Sequence, residues 1–415
     1  MVNMVRNLLK EQYPIIDRII EVGIYLYIIF MFLTIGEAIR NILLFGSFIL
    51  WLATLRHRDN KGILLEPLSL FFWCFIITIL VSVVFSIDPG YSFKSLAGEP
   101  LKSILLFPLI STVIRGEERL KRLVYVFLAL LIFTISIGYY SYWAYDLPLM
   151  KPFTPLRRAW HNRFAVDLNT LFPFAFLLLL ISKRPALKIA MTAIILTGVA
   201  ALVLSTSRGG LIAFISLTVV WSVYAILRKG VSLKSVLAGT MIIVLVSGVT
   251  VQYGKPDIKE RFLRVKNDME TLNYRTIIWS RLIAAVAHRP MLGWGYGPEI
   301  FKMDQPFQNT PYKTSPAQIG PDLRQPHNAF LRVLFHQGII GLSVYLLMLF
   351  YAITIFLKES FTKENIRSYV LLSAASILIS TYGINSIVEN THLLYLTLVL
   401  SIGMAAKGLD ENCHS

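Results

Sequence analysis

Residues 325–338 read Gln-Pro-His-Asn-Ala-Phe-Leu-Arg-Val-Leu-Phe-His-Gln-Gly and lead from a polar segment into a hydrophobic one. They close the stretch Val251–Leu342, which is the longest polar part of the chain and carries 12 of its 40 lysine and arginine residues. Long apolar runs flank this stretch on both sides. We therefore expect it to fold against the ends of a membrane-embedded bundle and to cover a site there.

The composition is that of a membrane protein. The 415 residues are 55% hydrophobic and 15% charged, with a mean hydropathy of +0.63, whereas about a quarter of a soluble domain is charged. The apolar runs reach roughly 15–25 residues, which is enough for a helix to cross a hydrocarbon core of about 30 Å. Because a backbone in lipid must satisfy its own hydrogen bonds, the sequence predicts an all-α integral membrane protein.

The apolar runs predict about twelve transmembrane helices and one large loop that contains helices. The predicted spans are 20–36, 38–55, 66–87, 100–114, 120–144, 164–182, 186–204, 208–227, 231–251, 338–357, 367–386 and 390–407. This divides the chain into residues 1–251 with nine spans, the loop 252–337, and residues 338–415 with three spans and a C-terminal tail.

The short loops predict the orientation. With both termini on one side, the loops there hold 20 lysine and arginine residues and the opposite short loops hold 8. Positive charge concentrates on the cytoplasmic side, and loops longer than roughly 60 residues are exempt from this rule. The termini are therefore predicted to be cytoplasmic and the large loop external. Since the basic residues are spread over short loops, the net charge of +16 does not indicate nucleic-acid binding.

The eight outward cations need an explanation. Four of them, Lys151, Arg157, Arg158 and Arg163, crowd into one loop, and Arg208 stands in a very short turn. Contact with lipid head groups is one reading. Cations beside a basic outer domain favour a second reading, an anionic ligand on the outer face.

Residues 205–210 read Ser-Thr-Ser-Arg-Gly-Gly between two apolar runs. Ser207 is a candidate helix cap, which would put Arg208 at a helix N-terminus, where backbone N–H groups attract anions. A guanidinium there can hold a phosphate with two hydrogen bonds. The alternative is a tight hairpin with an arginine that reaches toward the interface.

A second cation lies in the large loop. Residues 273–279, Asn-Tyr-Arg-Thr-Ile-Ile-Trp, begin a helical pattern that ends near Pro290. Arg275 falls in its first turn among aromatic and polar neighbours, whereas we expect the other cations of this region, such as Arg261, to be solvated.

Residues 290–297, Pro-Met-Leu-Gly-Trp-Gly-Tyr-Gly, form a glycine–aromatic turn. It has neither the Gly-Lys-Ser/Thr ending of a phosphate-binding loop nor a surrounding strand–helix unit. A packed turn is the favoured reading, and stacking of a sugar on Trp294 or Tyr296 is the alternative.

His327 follows Pro326 near a predicted helix start, where the helix dipole favours the neutral imidazole. A neutral imidazole near cations suits a general base that takes a proton from a hydroxyl. The alternative is a structural hydrogen bond. The outer side shows no HExxH, DxD or paired carboxylates, so we expect neither a metal nor another cofactor, and arginines would have to stabilise an anionic leaving group.

These motifs in this order resemble the O-antigen ligase family, which also contains O-antigen polymerases and protein O-oligosaccharyltransferases. The resemblance rests on Ser205–Gly210, on Arg275 and Trp279 followed by the glycine–aromatic turn, and on His327-Asn328 with Gly338. It implies a GT-C-like glycosyltransferase of the bacterial inner membrane whose active site faces the periplasm. It also implies metal-independent, inverting transfer of a polysaccharide from undecaprenyl pyrophosphate to the lipid A–core oligosaccharide.

The resemblance implies roles for particular residues. Arg208 and Arg275 would bind the pyrophosphate, and His327 would be the base. The residues assigned to substrate binding, mostly on charge and location, are Arg157, Arg158, His161, Lys102, Asn328 and Glu389. Of these, Glu389 lies at an outer helix end, where it would orient His327 or an arginine.

Two alternatives stay open on the sequence alone. A polymerase or a protein-directed transferase of the same family would differ only in its acceptor. A transporter or flippase for an anionic lipid belongs to a different class. The lack of an internal repeat with duplicated broken helices and the outward cations weigh against a transporter.

Overall fold

The computed structural model of the chain describes residues 2–152, 160–263, 269–303, 305–307, 326–389 and 392–407. Every regular element within these ranges is helical, which confirms the predicted all-α class. The main helices are α1 (Val2–Leu33), α2 (Glu37–Thr54), α3 (Pro67–Val84), α4 (Pro89–Leu96), α5 (Glu99–Val113), α6 (Glu117–Ala144), α7 (His161–Ile181), α8 (Pro185–Leu204), α9 (Arg208–Lys229), α10 (Leu233–Tyr253), α11 (Pro256–Leu263), α12 (Met269–His288), α13 (Ala329–Ser360), α14 (Ile366–Ile377) and α15 (Leu393–Lys407).

The helices are those of a multi-pass membrane protein. By length and composition, ten apolar helical stretches in the described ranges can cross a bilayer, with α4 and α5 joined in one of them and α14 extended to Ile387 in another. The helix α15 is apolar but shorter. The total of twelve crossings, the boundaries of the three regions and the sidedness stay predictions.

Local sequence fixes where many of the helices begin and end. Proline occupies the first turn of α3, α5 and α8, where its missing N–H costs nothing. Ser232 and Asn365 accept hydrogen bonds from backbone N–H groups three residues on and so cap α10 and α14. Gly230, with φ 63°, ends α9 in the left-handed conformation that suits glycine.

The bundle has a centre and a periphery. All residues of α14 are buried, and α15 and most of α7 lie beside it in the core. Stacked aromatic side chains pack in the core, for example Phe127 on Phe174, whose ring centroids are 4.3 Å apart. By contrast, α10 has no buried residue, so it lies at the edge of the bundle, where its apolar side chains suit lipid.

The polar stretch between α10 and the bundle builds a small core of its own. The members are Ile278, Leu282, Ala285, Val286, Trp294, Ile300, Phe301, Phe307 and Phe335. They come from α12, from the glycine–aromatic turn and the short helical turns after it, and from the start of α13. The stretch therefore sits on the first turns of α13 as a packed cap.

The glycine–aromatic turn fills a break in α13. The break falls at Gly338, whose φ of 66° and ψ of −166° are not helical, and a Cβ there would lie 2.2 Å from a carbonyl oxygen of the turn. The interrupted helix bonds with the turn: Trp294 N–H donates to Phe335 O at 2.9 Å, and Ile339 N–H donates to Pro290 O at 2.8 Å. The turn thus holds the first two turns of α13 in place.

Candidate active site

The first part of the site is the start of α9. Ser207 Oγ accepts a hydrogen bond from Gly210 N–H at 3.3 Å, as expected of a helix cap, and Arg208 is the first helical residue. The exposed Arg208 side chain donates from Nη2 to the carbonyl oxygen of Arg261 at 3.2 Å. Thr206, with φ 53°, makes the tight turn before the cap. Arg208 therefore lies at a helix N-terminus, where the positive end of the helix dipole and the charge of the guanidinium both attract an anion.

The two glycines after Arg208 let α9 press against its neighbours. A Cβ on Gly209 would lie 2.4 Å from Asn385 Oδ1 and 2.9 Å from Val388 Cγ2, and one on Gly210 would lie 2.5 Å from Ala165 Cβ. Neither position has room for a side chain. The start of α9 consequently abuts both α7 and the segment that follows α14.

Arg275 on α12 is fastened to that same segment. Its Nη1 donates to the carbonyl oxygen of Val388 at 2.9 Å, and its Nη2 lies 3.5 Å from Glu389 Oε1. The guanidinium is 25% exposed, so it retains access to a ligand. Arg275 and Gly209, the residue after Arg208, thus meet one short piece of chain.

His327 is held in an unusual backbone conformation. Trp279 Nε1 donates to Pro326 O at 2.8 Å, and Asn328 Oδ1 caps α13 by accepting from Leu331 N–H at 2.9 Å. His327, between these two anchors, has φ 44°. Such a conformation costs a non-glycine residue about 1–3 kcal/mol and is typical of functional sites.

Glu389 joins the parts. Its Oε2 lies 3.6 Å from His327 Nδ1, its Oε1 lies 3.5 Å from Arg275 Nη2, and the amide of Asn162 donates to Oε1 at 2.7 Å. We refer to these four residues, Asn162, Arg275, His327 and Glu389, as the Glu389 cluster. A carboxylate facing Nδ1 favours the proton on that nitrogen, which leaves Nε2 able to accept one.

Other predicted site residues fall in different places. His161 begins α7 next to Asn162 and lies within electrostatic range of Glu389 and Arg261, so it borders the cluster. Lys102 forms an ion pair with Glu37 at 3.1 Å instead. Asn328 uses its carboxamide oxygen as a helix cap. Arg157 and Arg158 lie outside the described residues.

Three residues of the site were not predicted. Asn162 binds Glu389, and Asn385 packs on Gly209. Arg261, expected to be a solvated charge, also points its Nη1 to within 3.5 Å of Thr206 Oγ1. The two amides carry no local signal, since each becomes visible only through a partner far away in the sequence.

The helices and the Glu389 cluster define a class: a multi-pass helical membrane protein with a site of cations, one carboxylate and one imidazole at the end of its bundle. Residues 192–346 match the model of the O-antigen ligase family. Over this range the predicted resemblance to the O-antigen ligase family is confirmed. The matched range contains Arg208, Arg275 and His327, whereas Glu389 lies beyond it.

The chain is also similar to an O-antigen ligase of Salmonella typhimurium, strain LT2. The two sequences are 23% identical over 270 residues, which is 64% of this chain and 64% of that protein. The match thus spans less than two thirds of the relative's length.

Proposed function

We propose that this protein is an O-antigen ligase of the bacterial inner membrane, active on the periplasmic face. It transfers a polysaccharide from undecaprenyl pyrophosphate to the lipid A–core oligosaccharide, with inversion at the anomeric carbon and without a metal. The observation that carries the proposal is the meeting of three groups at residues 385–389: the start of α9 with Arg208, Arg275 and His327.

The cations suit a pyrophosphate leaving group. As the glycosidic carbon–oxygen bond breaks, negative charge develops on the pyrophosphate, and preorganised donors lower the energy of that state. Arg208 adds a guanidinium to the N–H groups at the start of α9, and Arg275 offers a second guanidinium. Both can bind phosphate oxygens in bidentate fashion. With its charge met in this way, pyrophosphate leaves without a general acid.

His327 suits the role of base. A sugar hydroxyl of the acceptor gives its proton to Nε2 of His327 as its oxygen bonds to the anomeric carbon of the donor. The bond to pyrophosphate breaks on the opposite face, and undecaprenyl pyrophosphate leaves with the bonding electron pair. Glu389, 3.6 Å from Nδ1, stabilises the imidazolium that results, as the carboxylate does in other histidine-based sites.

Both proposed substrates are anchored in lipid, and the fold suits them. The Glu389 cluster lies where α7, α9 and α13 begin, at one end of the bundle. Donor and acceptor tails can stay in the bilayer while their head groups reach this end from the side. The peripheral helix α10, without a buried residue, adds apolar surface on the side of Arg208.

The proposal is tested in cells that lack their own ligase. Single variants Arg208→Ala, Arg275→Ala and His327→Ala are expressed, and lipopolysaccharide ladders are compared with those of the wild type. His288→Ala is the control, because His288 is exposed at the end of α12 and outside the cluster. We expect the wild type and the control to cap lipid A–core with polysaccharide. The variants Arg208→Ala, Arg275→Ala and His327→Ala should accumulate undecaprenyl-linked chains.

The experiment also distinguishes a ligase from a polymerase and from a protein-directed transferase. If the wild type leaves the core uncapped in these cells but restores long chains to cells that lack only their own polymerase, the protein is a polymerase. Glycan on protein rather than on lipid A–core would indicate a protein-directed transferase. Normal ladders for all three variants would overturn the assignment of the site.

A further inference from the structure

A second polar region lies beside the first turns of α13. It is a cavity of about 50 Å³ between α3, α5, α13 and α15. A buried water needs roughly 10–15 Å³, so about four ordered waters, or the hydroxylated edge of a ring, fit inside. Its polar lining comes from Glu99, Tyr296, Arg332, His336 and His392.

His336 lines this cavity and has one buried ring nitrogen that the described residues do not bond. The ring is 2% exposed, and its Nδ1 donates to the carbonyl oxygen of Gly295 at 2.6 Å. That bond fixes the tautomer, so Nε2 is an acceptor. Within the described residues, this Nε2 has no hydrogen-bond partner. A buried acceptor without a partner costs about 1–3 kcal/mol, which a ligand hydroxyl would recover.

The other groups supply a balanced set of donors and acceptors. Glu99 accepts from His392 Nδ1 at 2.7 Å and from Leu393 N–H at 2.9 Å, and the Arg332 cation lies near enough to interact with its charge. Burial raises the pKa of Tyr296, so its phenol stays protonated and able to donate.

This set fits a neutral polyol better than an anion or an alkyl chain. A phosphate would face the Glu99 carboxylate and the Nε2 lone pair, which repel it. An acyl chain would leave Arg332 and His336 without partners. A sugar ring offers hydroxyls that both donate and accept, together with a C–H face that can lie against Tyr296.

Residues 385–389 and 392–393 relate the cavity to the Glu389 cluster. Asn385 and Val388 face the start of α9, Glu389 faces Arg275 and His327, and Leu393 binds Glu99 beside the cavity. Residues that meet Arg275 and His327 are thus followed in the sequence by a residue that lies beside the cavity. In an inverting displacement the incoming hydroxyl approaches opposite the leaving group, so the acceptor needs a site separate from the arginines, and the cavity offers one.

We propose that the cavity lined by Glu99, Tyr296, Arg332 and His336 binds the acceptor sugar and presents its hydroxyl to His327. The proposal rests on the proposed ligase function for the identity of that sugar. It assigns Arg332 and His336 to acceptor recognition.

The test uses the purified full-length protein in nanodiscs and two variants. Arg332→Ala removes the cation, and Val333→Trp, at another residue of the cavity lining, fills the space. With a lipid-linked polysaccharide donor and a lipid A–core acceptor, we expect the KM for the acceptor to rise at least about tenfold, since hydrogen bonds to a charged group carry such an effect. The KM for the donor should stay within about twofold, and Arg332→Lys should recover part of the loss.

A binding measurement makes the result independent of turnover. A fluorescent core oligosaccharide freed of lipid A should bind the wild type saturably and both variants at least about tenfold more weakly. Lys302→Ala, which removes an exposed cation of the same polar stretch, is the matched control and should bind like the wild type.

Other results would contradict either the cavity proposal or the ligase function. Equal probe binding by wild type and both variants would overturn the cavity proposal even where transfer proceeds. A rise in the KM for the donor instead of the acceptor would overturn its assignment to the acceptor. If the wild type transfers nothing, the ligase function fails. Weaker probe binding by the variants would then still support a sugar site.

Discussion

His327 Nδ1 lies 3.6 Å from Glu389 Oε2, although 62 positions separate the two residues in the sequence. The imidazole and the carboxylate are 29% and 14% exposed, so the pair is shielded but open on one side. In the proposed function the carboxylate orients the ring, and the far nitrogen, Nε2, takes the proton of the acceptor hydroxyl.

Glu389→Gln should lower kcat while the protein still folds. The amide keeps the shape and can still accept from Asn162, but it removes the charge that faces His327 and Arg275. We expect a loss of roughly 10- to 100-fold, smaller than the 10²- to 10⁴-fold typical of removing a base. Steady-state kinetics with purified protein measures it, with Glu299→Gln, an exposed carboxylate paired with Lys302, as the control. Equal kcat for both variants would show that Glu389 does not orient the base.

Arg275→Lys should weaken donor binding although the charge is kept. Arg275 uses both terminal nitrogens, one on Val388 O and one beside Glu389, and lysine offers a single point charge in place of a fork. We expect the KM for the lipid-linked donor to rise about tenfold.

The control for this change is Arg289→Lys. Arg289 also lies at α12 but contacts Phe85 O and the Trp294 ring, outside the cluster. Arg289→Lys should leave the KM for the donor unchanged. If Arg275→Lys and Arg289→Lys have similar KM values for the donor, Arg275 does not bind the pyrophosphate.

Gly209→Ala should reduce activity by moving the segment 385–389. The added Cβ would lie 2.4 Å from Asn385 Oδ1, so Asn385 and Val388 must shift and carry Glu389 with them. Misplacement by about 1 Å can cost on the order of 100-fold in rate. Gly239→Ala on the lipid-facing α10 meets nothing within 4 Å and should retain full activity. If Gly209→Ala is as active as Gly239→Ala, the close contact does not position the cluster.

A buried ion-pair cluster far from the site predicts a change in stability alone. Asp17 is 5% exposed and receives Arg58 Nη2 at 2.7 Å and Arg119 Nη2. Asp17→Asn leaves these cations without that partner, which we expect to cost about 3 kcal/mol of unfolding free energy. The midpoint of thermal unfolding in detergent should fall, while kcat per folded molecule stays the same.

An exposed ion pair provides the comparison for Asp17. Lys121 pairs with Glu118 at 2.7 Å, and the two side chains are 43% and 73% exposed. Lys121→Ala should therefore change the unfolding free energy by less than about 1 kcal/mol. Equal thermal midpoints for Asp17→Asn and Lys121→Ala would show that burial does not strengthen the Asp17 cluster.

Much of the fold could be predicted because its signals are local. The apolar runs predict helices such as α3 and α9. Ser207 was predicted to cap a helix, and it is the N-cap of α9 in the structure. Gly338 and the glycine–aromatic turn were both visible in the sequence. The packing of the turn against the break in α13 could not be predicted, because the hydrogen bond from Trp294 N–H to Phe335 O joins two segments that are distant in the sequence.

The candidate site divides in the same way. Arg208, His327 and Glu389 stand out as polar residues at or near helix ends. The prediction that Arg275 falls in the first turn of its helix is wrong, because α12 begins at Met269 and Arg275 lies in its second turn. Asn162 does not, since its bond to Glu389 joins residues 227 positions apart. The cavity was invisible for the same reason, because Glu99 meets His392 across 293 positions. Arg58, one of the cations counted in the short loops, is 3% exposed and paired with Asp17, a partner 41 positions away that the local sequence does not indicate.

The central claim, base-assisted transfer at the Glu389 cluster, is tested most directly in nanodiscs. Purified wild type, His327→Ala and the control His288→Ala receive undecaprenyl-pyrophosphate-linked polysaccharide and lipid A–core, with and without EDTA. Initial rates and the anomeric configuration of the product are measured. We predict an inverted linkage formed at equal rates with and without EDTA by wild type and control, and a rate at least about 100-fold lower for His327→Ala. Transfer by His327→Ala at the wild-type rate would contradict the account.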